Sequence, residues 1–130
     1  AEFWTGVSVM AQAWAFCIGY KSAVVTRATL FRQFHCAIAG GRGQSGVQMR
    51  TSLEVMDKEI GENRKVYLHG HGGRGRTGTV VGCWLARHGI ALGDAVIDAM
   101  ADLRYSFGLF NPSPETGAQS RLVTSWMDGE

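Results

Sequence analysis

The residues that could do chemistry lie together, in the order Val66-Tyr67-Leu68-His69-Gly70-His71-Gly72-Gly73-Arg74-Gly75-Arg76-Thr77-Gly78-Thr79. Lys65 to Leu68 reads as a short strand, His69 to Gly75 as a glycine-rich turn, and Arg76 to His88 as a buried helix carrying Val80, Val81, Cys83, Trp84 and Leu85. Such a loop turns successive backbone N–H groups toward one point, and the N-terminus of the following helix adds about half a positive charge there. Arg76 stands at that helix start, where a guanidinium can clamp two oxygens of one anion. The predicted chemistry is therefore oxyanion binding by His71, Gly72, Gly73, Arg74, Gly75, Arg76 and Thr77. The ligand expected is phosphate, sulfate or a phosphorylated group.

Three other sites share parts of this pattern. Gly73, Gly75 and Gly78 spell the GxGxxG of a dinucleotide site, but two histidines and two arginines crowd the segment and no clear acidic strand end lies about 20 residues on. A nucleotide P-loop needs Gly-Lys-Ser/Thr, which is missing. His69 to Gly73 is similar to the HGGG element of esterases, but no GxSxG elbow follows.

From about Gln48 to Trp126 the chain resembles the cysteine-based protein tyrosine and dual-specificity phosphatases. That family's signature is His-Cys, five residues, Arg, Ser or Thr, then Gly. Here His69 takes the place of its His, residues 71–75 the five, and Arg76, Thr77 and Gly78 its end. Thr79 to Gly89 is similar to the family's helix, and Ser113-Pro114-Glu115-Thr116 with Gln119, Val123 and Trp126 to its C-terminal helix. The resemblance implies an α/β fold with a parallel sheet, a phosphate-containing substrate and no cofactor.

Two positions depart from the pattern. Gly70 stands where the family has its nucleophilic Cys, and glycine has no atom to attack phosphorus. The family's general acid is an Asp on a loop before the signature. No Asp precedes Asp57, which falls in the helix predicted over 48–60. Cys83 lies seven residues into the helix, about 10 Å from Arg76 along its axis, and reads as a buried core thiol. Among catalytic candidates, His69 is expected to serve as a hydrogen-bonding histidine and His71 as a phosphate donor or alternative nucleophile, beside Arg76. His69 and His71 alternate on one strand face, yet no third ligand is identifiable and no metal is expected. Arg74 reads as a rim charge, Thr77 as the helix cap, and Arg104 and Arg121 as solvated charges.

The elements that must hold this segment are less even. The chain has 130 residues, is 45% apolar and carries a formal net charge of +2, which suits one globular domain and is too small to argue for nucleic acid, so no nucleic-acid partner is expected. Residues 1–50 hold one acid, Glu2, and five bases, whereas residues 51–130 hold ten acids and eight bases. An acid-poor apolar segment over 1–46 thus adjoins a phosphatase-like segment over 47–130, and the two are expected to form one domain. Val7, Met10, Trp14, Cys17 and Lys21 follow helical spacing, while 23–31 reads equally as helix or strand. Phe3 to Tyr20 lacks a basic n-region and is diluted by Thr5, Gly6, Ser8 and Gln12, so neither a signal peptide nor a spanning helix is expected. An odd count of three cysteines without short spacing points to a reducing, cytoplasmic compartment. Met49, Leu53, Met56 and Ile60 predict an amphipathic helix ended by Gly61. A further helix spans Gly93 to Tyr105 with Ala95, Val96, Ala99, Met100 and Leu103 inward, and a last one spans Thr116 to Met127 with Leu122, Val123 and Trp126 inward.

The fold class expected is α/β, a partial or rearranged phosphatase-like parallel sheet with flanking helices, or mostly α with a minimal sheet. A small sheet would leave open edges, and dense aromatics at Phe3, Trp4, Trp14, Phe16, Tyr20, Phe31 and Phe34 suit a core or subunit interface, so a homodimer is one expectation. The function expected is a phosphate-binding loop without cysteine-dependent phosphatase activity. Alternatives are a hydrolase of phosphate or other activated esters using water or a histidine, and a self-associating fragment.

Overall fold

A computed structural model describes residues 13–18, 31–36, 46–70 and 75–130, with backbone alone at 13–18, 31–36, Lys65, Tyr67, His69 and Gly70. In chain order these are β1 (Ala13–Ile18), β2 (Phe31–Cys36), α1 (Gly46–Gly61), β3 (Lys65–Gly70), α2 (Arg76–Arg87), α3 (Asp94–Tyr105) and α4 (Gly117–Ser125). The strands form a parallel sheet in the order β2-β1-β3. The chain runs from β1 to β2 on one side and returns through α1 to pair β3 on the other. In such an open sheet, ligands bind outside the carboxyl ends of the strands near this reversal. Register puts Ile18 opposite Gly70, so β1 and β3 end side by side there.

The helical spacing noted through Trp14 and Cys17 does not hold over 13–18, where the chain is strand. Three-stranded pairing satisfies the backbone of β1 on both sides, and this long-range gain outweighs a local period that alternating Trp14 and Phe16 also fit. Residues 23–30, like Val7, Met10 and Lys21 of the helical spacing, lie outside the described residues, and Phe31 opens β2.

Prediction was closer from α1 onward. Met49, Leu53 and Met56 are fully or almost fully buried, together with Leu68, Val80, Cys83, Ala86, Val96, Met100, Val123 and Trp126 in one core. Each large apolar side chain buried here contributes roughly 1.5–3 kcal/mol. Ile60 instead stands exposed in the last turn of α1, and on α3 Ala95 and Leu103 are exposed while Val96 and Met100 face the core. The last helix begins one residue after Thr116, which caps it: the Thr116 hydroxyl accepts from Gln119 N–H and the Gln119 amide oxygen accepts from Thr116 N–H.

α2 is central. Glycines let its neighbours approach. A Cβ on Gly82 would stand 2.6 Å from Val123 Cγ1 and 3.1 Å from Met100 Sδ, and one on Gly78 would collide with Ser113 Oγ. Its far end is fastened to α1 by Asp57, which accepts from Trp84 Nε1 at 3.0 Å, meets His88 Nε2 at 2.7 Å and pairs with Arg87 Nε at 2.8 Å. Among the described residues, no helix is long and apolar enough to cross a membrane.

Candidate functional site

β3 runs two residues further than the apolar pattern indicated and ends on His69 and Gly70. That delivers Gly70 to the carboxyl edge of the sheet, directly before the loop. His71, Gly72, Gly73 and Arg74 lie outside the described residues. The chain is described again at Gly75, which is buried and is the N-cap of α2. Arg76 is therefore the first residue of that helix and is half-buried. The loop is thus spanned between a strand end and a helix N-terminus, the arrangement that favours anions.

The helix start is built without a side-chain cap. Thr77 is not the cap that sequence suggested. It is the second residue of α2, 8% exposed, and its Oγ1 has no hydrogen-bond partner among the described residues. Thr79 instead turns its hydroxyl back to Gly75 O at 2.7 Å, reinforcing the first helical turn.

The N-terminus of α4 braces the loop end. A Cβ on Gly75 would meet Gln119 Nε2 at 3.0 Å and Glu115 Oε2 at 3.1 Å. Gln119 is 2% exposed, and its amide oxygen accepts from the N–H groups of Glu115 and Thr116, each at 3.1 Å. Ser113 and Pro114, joined by a cis peptide, are also buried beside the first turn of α2. The sequence showed this brace only as a capping-box spacing, Thr116 to Gln119. Its closeness to Gly75 spans 44 residues and leaves no local signal.

The other chemistry-bearing residues separate clearly. Cys83 is fully buried, and burial, with the Glu130 charge second, pushes its thiol up to about 12. Asp57 lies at the opposite end of α2 from Arg76, held by Trp84, Arg87 and His88. Arg104 is not simply solvated, since its Nε donates to Asn111 O at 3.3 Å, while Arg121 is exposed. Sheet register adds a neighbour that the sequence did not: Cys17 on β1 pairs with His69 on β3 and with His35 on β2. No group of three or more His, Cys, Asp or Glu able to hold a metal occurs among the described residues.

A parallel sheet, a loop at its carboxyl edge and an arginine opening the next helix define a phosphatase-like fold. Residues 18–90 match the family described as polymorphic toxin system, DSP-PTPase phosphatase, and the chain belongs to that family. The match starts at the end of β1, well before the region where the signature resemblance is visible. Solved structures agree in fold. The active form of Tk-PTP superposes with a TM-score of 0.71 at 20% identity, covering 89% of this chain and 78% of that one. A kinase associated phosphatase with its catalytic-site cysteine substituted by serine gives 0.68 at 21%, covering 89% and 68%. The human tyrosine phosphatase-like serine/threonine/tyrosine-interacting protein gives 0.68 at 16%, covering 95% and 83%. No curated protein matches the chain in sequence.

Proposed function

We propose that the chain binds phosphate or a phosphorylated group through the 71–77 loop and Arg76, and that it lacks cysteine-dependent phosphatase activity. The observation that carries this reading is Gly70, a residue without a side chain at the strand end where the family's thiol belongs. Arg76 at the first position of α2 retains the anion clamp. Cys83 is no substitute, because a thiol held near 12 is not a thiolate at neutral pH and lies within the core. In this reading His71 is a phosphate donor and Arg74 a rim charge, both outside the described residues. The sheet that joins strands on both sides of residue 46 supports one domain rather than two.

Calorimetry with phosphate or tungstate tests the binding. Arg76→Ala is expected to weaken it about tenfold or more, the size of one lost charge-assisted hydrogen bond. Unchanged binding would sink the reading. Gly70→Cys is the companion test. Turnover of an aryl phosphate by that variant, absent in the starting protein, shows a site complete except for its nucleophile.

A second reading has one specific observation behind it. β1 brings Cys17 into register with His69, one strand from Gly70. A hydrolase that takes its nucleophile from this neighbouring strand would turn over aryl phosphate with Gly70 in place, and Cys17→Ser would abolish it. That pair of results overturns the first reading in favour of the second.

A further inference from the structure

The outer face of α3 and the turn after it present an exposed surface of acidic and aromatic residues. Asp94, Asp98 and Asp102 stand one helical turn apart and are all exposed. Among the described residues none of the three forms an ion pair. Tyr105 continues the same face one turn on. Beyond it the chain presents Phe107, Leu109 and Phe110, with Tyr105 63%, Phe107 46%, Leu109 40% and Phe110 66% exposed. Together Tyr105, Phe107 and Phe110 expose roughly 350 Å² of residue surface, much of it aromatic.

This turn is pre-ordered. Phe107 N–H and Leu109 N–H both donate to Arg104 O at 3.0 Å, and Gly108 N–H donates to Tyr105 O at 3.0 Å. Gly108 takes φ 72°, which glycine adopts without strain. The Arg104 side chain is drawn back to Asn111 O, and Tyr105 and Phe110 meet edge to face with centroids 4.6 Å apart. A platform already fixed loses little entropy when a partner docks.

Charge selects the occupant. Three unpaired carboxylates repel nucleic acid and anionic lipid, and a purely apolar partner would leave them uncompensated. The acids lie at one end and the aromatics at the other, so a partner must carry its own groups in that order. We propose that this surface docks a basic amphipathic helix of another protein. Lys or Arg at one-turn intervals would lie over Asp94, Asp98 and Asp102, followed by an apolar anchor over Tyr105 and Phe110. The inference is independent of the phosphate-binding reading, and Arg76→Ala separates the two.

Two helical peptides of about 18 residues and identical composition test it by fluorescence anisotropy against the full chain. One carries lysines at i, i+4 and i+8 followed by a Leu/Phe cluster, and the other has the same residues dispersed. The ordered peptide is expected to bind at least tenfold tighter, and more weakly as salt rises. The exposed-position variants Asp98→Lys/Asp102→Lys and Phe107→Ser/Phe110→Ser should each lose about tenfold, with unchanged circular dichroism, whereas Arg76→Ala should lose none. Equal binding of the two peptides, or no binding, overturns the proposal. So does a dimer in light scattering that Phe110→Ser dissociates, or binding to phosphatidylserine vesicles.

Discussion

Single residues decide what the loop can do. In the proposed reading Gly70 leaves the strand end without a nucleophile and Arg76 keeps the clamp, and both positions are legible because the signature is short and contiguous. Cys83 was legible as a core thiol from its helix position, and its environment yields a prediction. The thiol is raised from 9.0 to about 12 in the folded chain, chiefly by burial. Below pH 9 it is protonated in both folded and unfolded states. Between about 9 and 12 only the unfolded chain gives up the proton, so stability falls as pH rises through that window, by at most about 1.4 kcal/mol per pH unit. Urea titrations at several alkaline pH values are expected to show a shallower fall for Cys83→Ala than for the starting protein. Parallel curves would refute the assignment. What the sequence hid at this scale was Thr77, whose hydroxyl is buried with no hydrogen-bond partner among the described residues rather than capping the helix. Helix-start propensity describes the Ncap, and here the Ncap is Gly75, two residues before Thr77.

At the scale of elements, local pattern succeeded where one face meets one core. α1, α2, α3 and α4 were each recognisable, because apolar residues recur at helical spacing against a solvent face. Exceptions mark element ends: Ile60 and Leu103 fit the period but lie in last turns that extend past the core. β1 was missed because six residues hold too few repeats to separate a strand from a helix, and its pairing partners are distant in sequence. The close contact of α2 with α3 and α4 was equally invisible, since glycine in a helix carries no sign of what approaches it. It does yield a test. A Cβ at Gly82 would stand 2.6 Å from Val123 and 3.1 Å from Met100, so Gly82→Ala gains helix propensity yet forces α4 outward. Overpacking of this kind costs roughly 1–3 kcal/mol. Thermal denaturation is expected to show the loss, and pairing with Val123→Ala to recover part of it. A stabilised Gly82→Ala would mean that propensity outweighs the contact.

At the scale of the whole molecule, the acid-poor front contributes β1 and β2 to the sheet that β3 of the more acidic back completes. The back half arranges its charges with a division of labour along α2. The start of the helix carries Arg76, and its end is fastened by Asp57 to Trp84, Arg87 and His88. Arg76 and Arg87 are eleven residues apart, about 16 Å along the axis. At that distance the two ends are expected to respond independently. Asp57→Ala removes the acceptor shared by three donors in a partly exposed setting, a loss of about 1–2 kcal/mol. For a chain of this size that corresponds to a fall in Tm of about 3–8 °C. Phosphate affinity measured well below that Tm should stay within twofold of the starting protein. Arg76→Ala should show the reverse, weak binding with little change in Tm. If Asp57→Ala weakens phosphate binding in step with stability, the clasp and the loop are one cooperative unit, and the role of α2 is to transmit between them rather than to keep them apart.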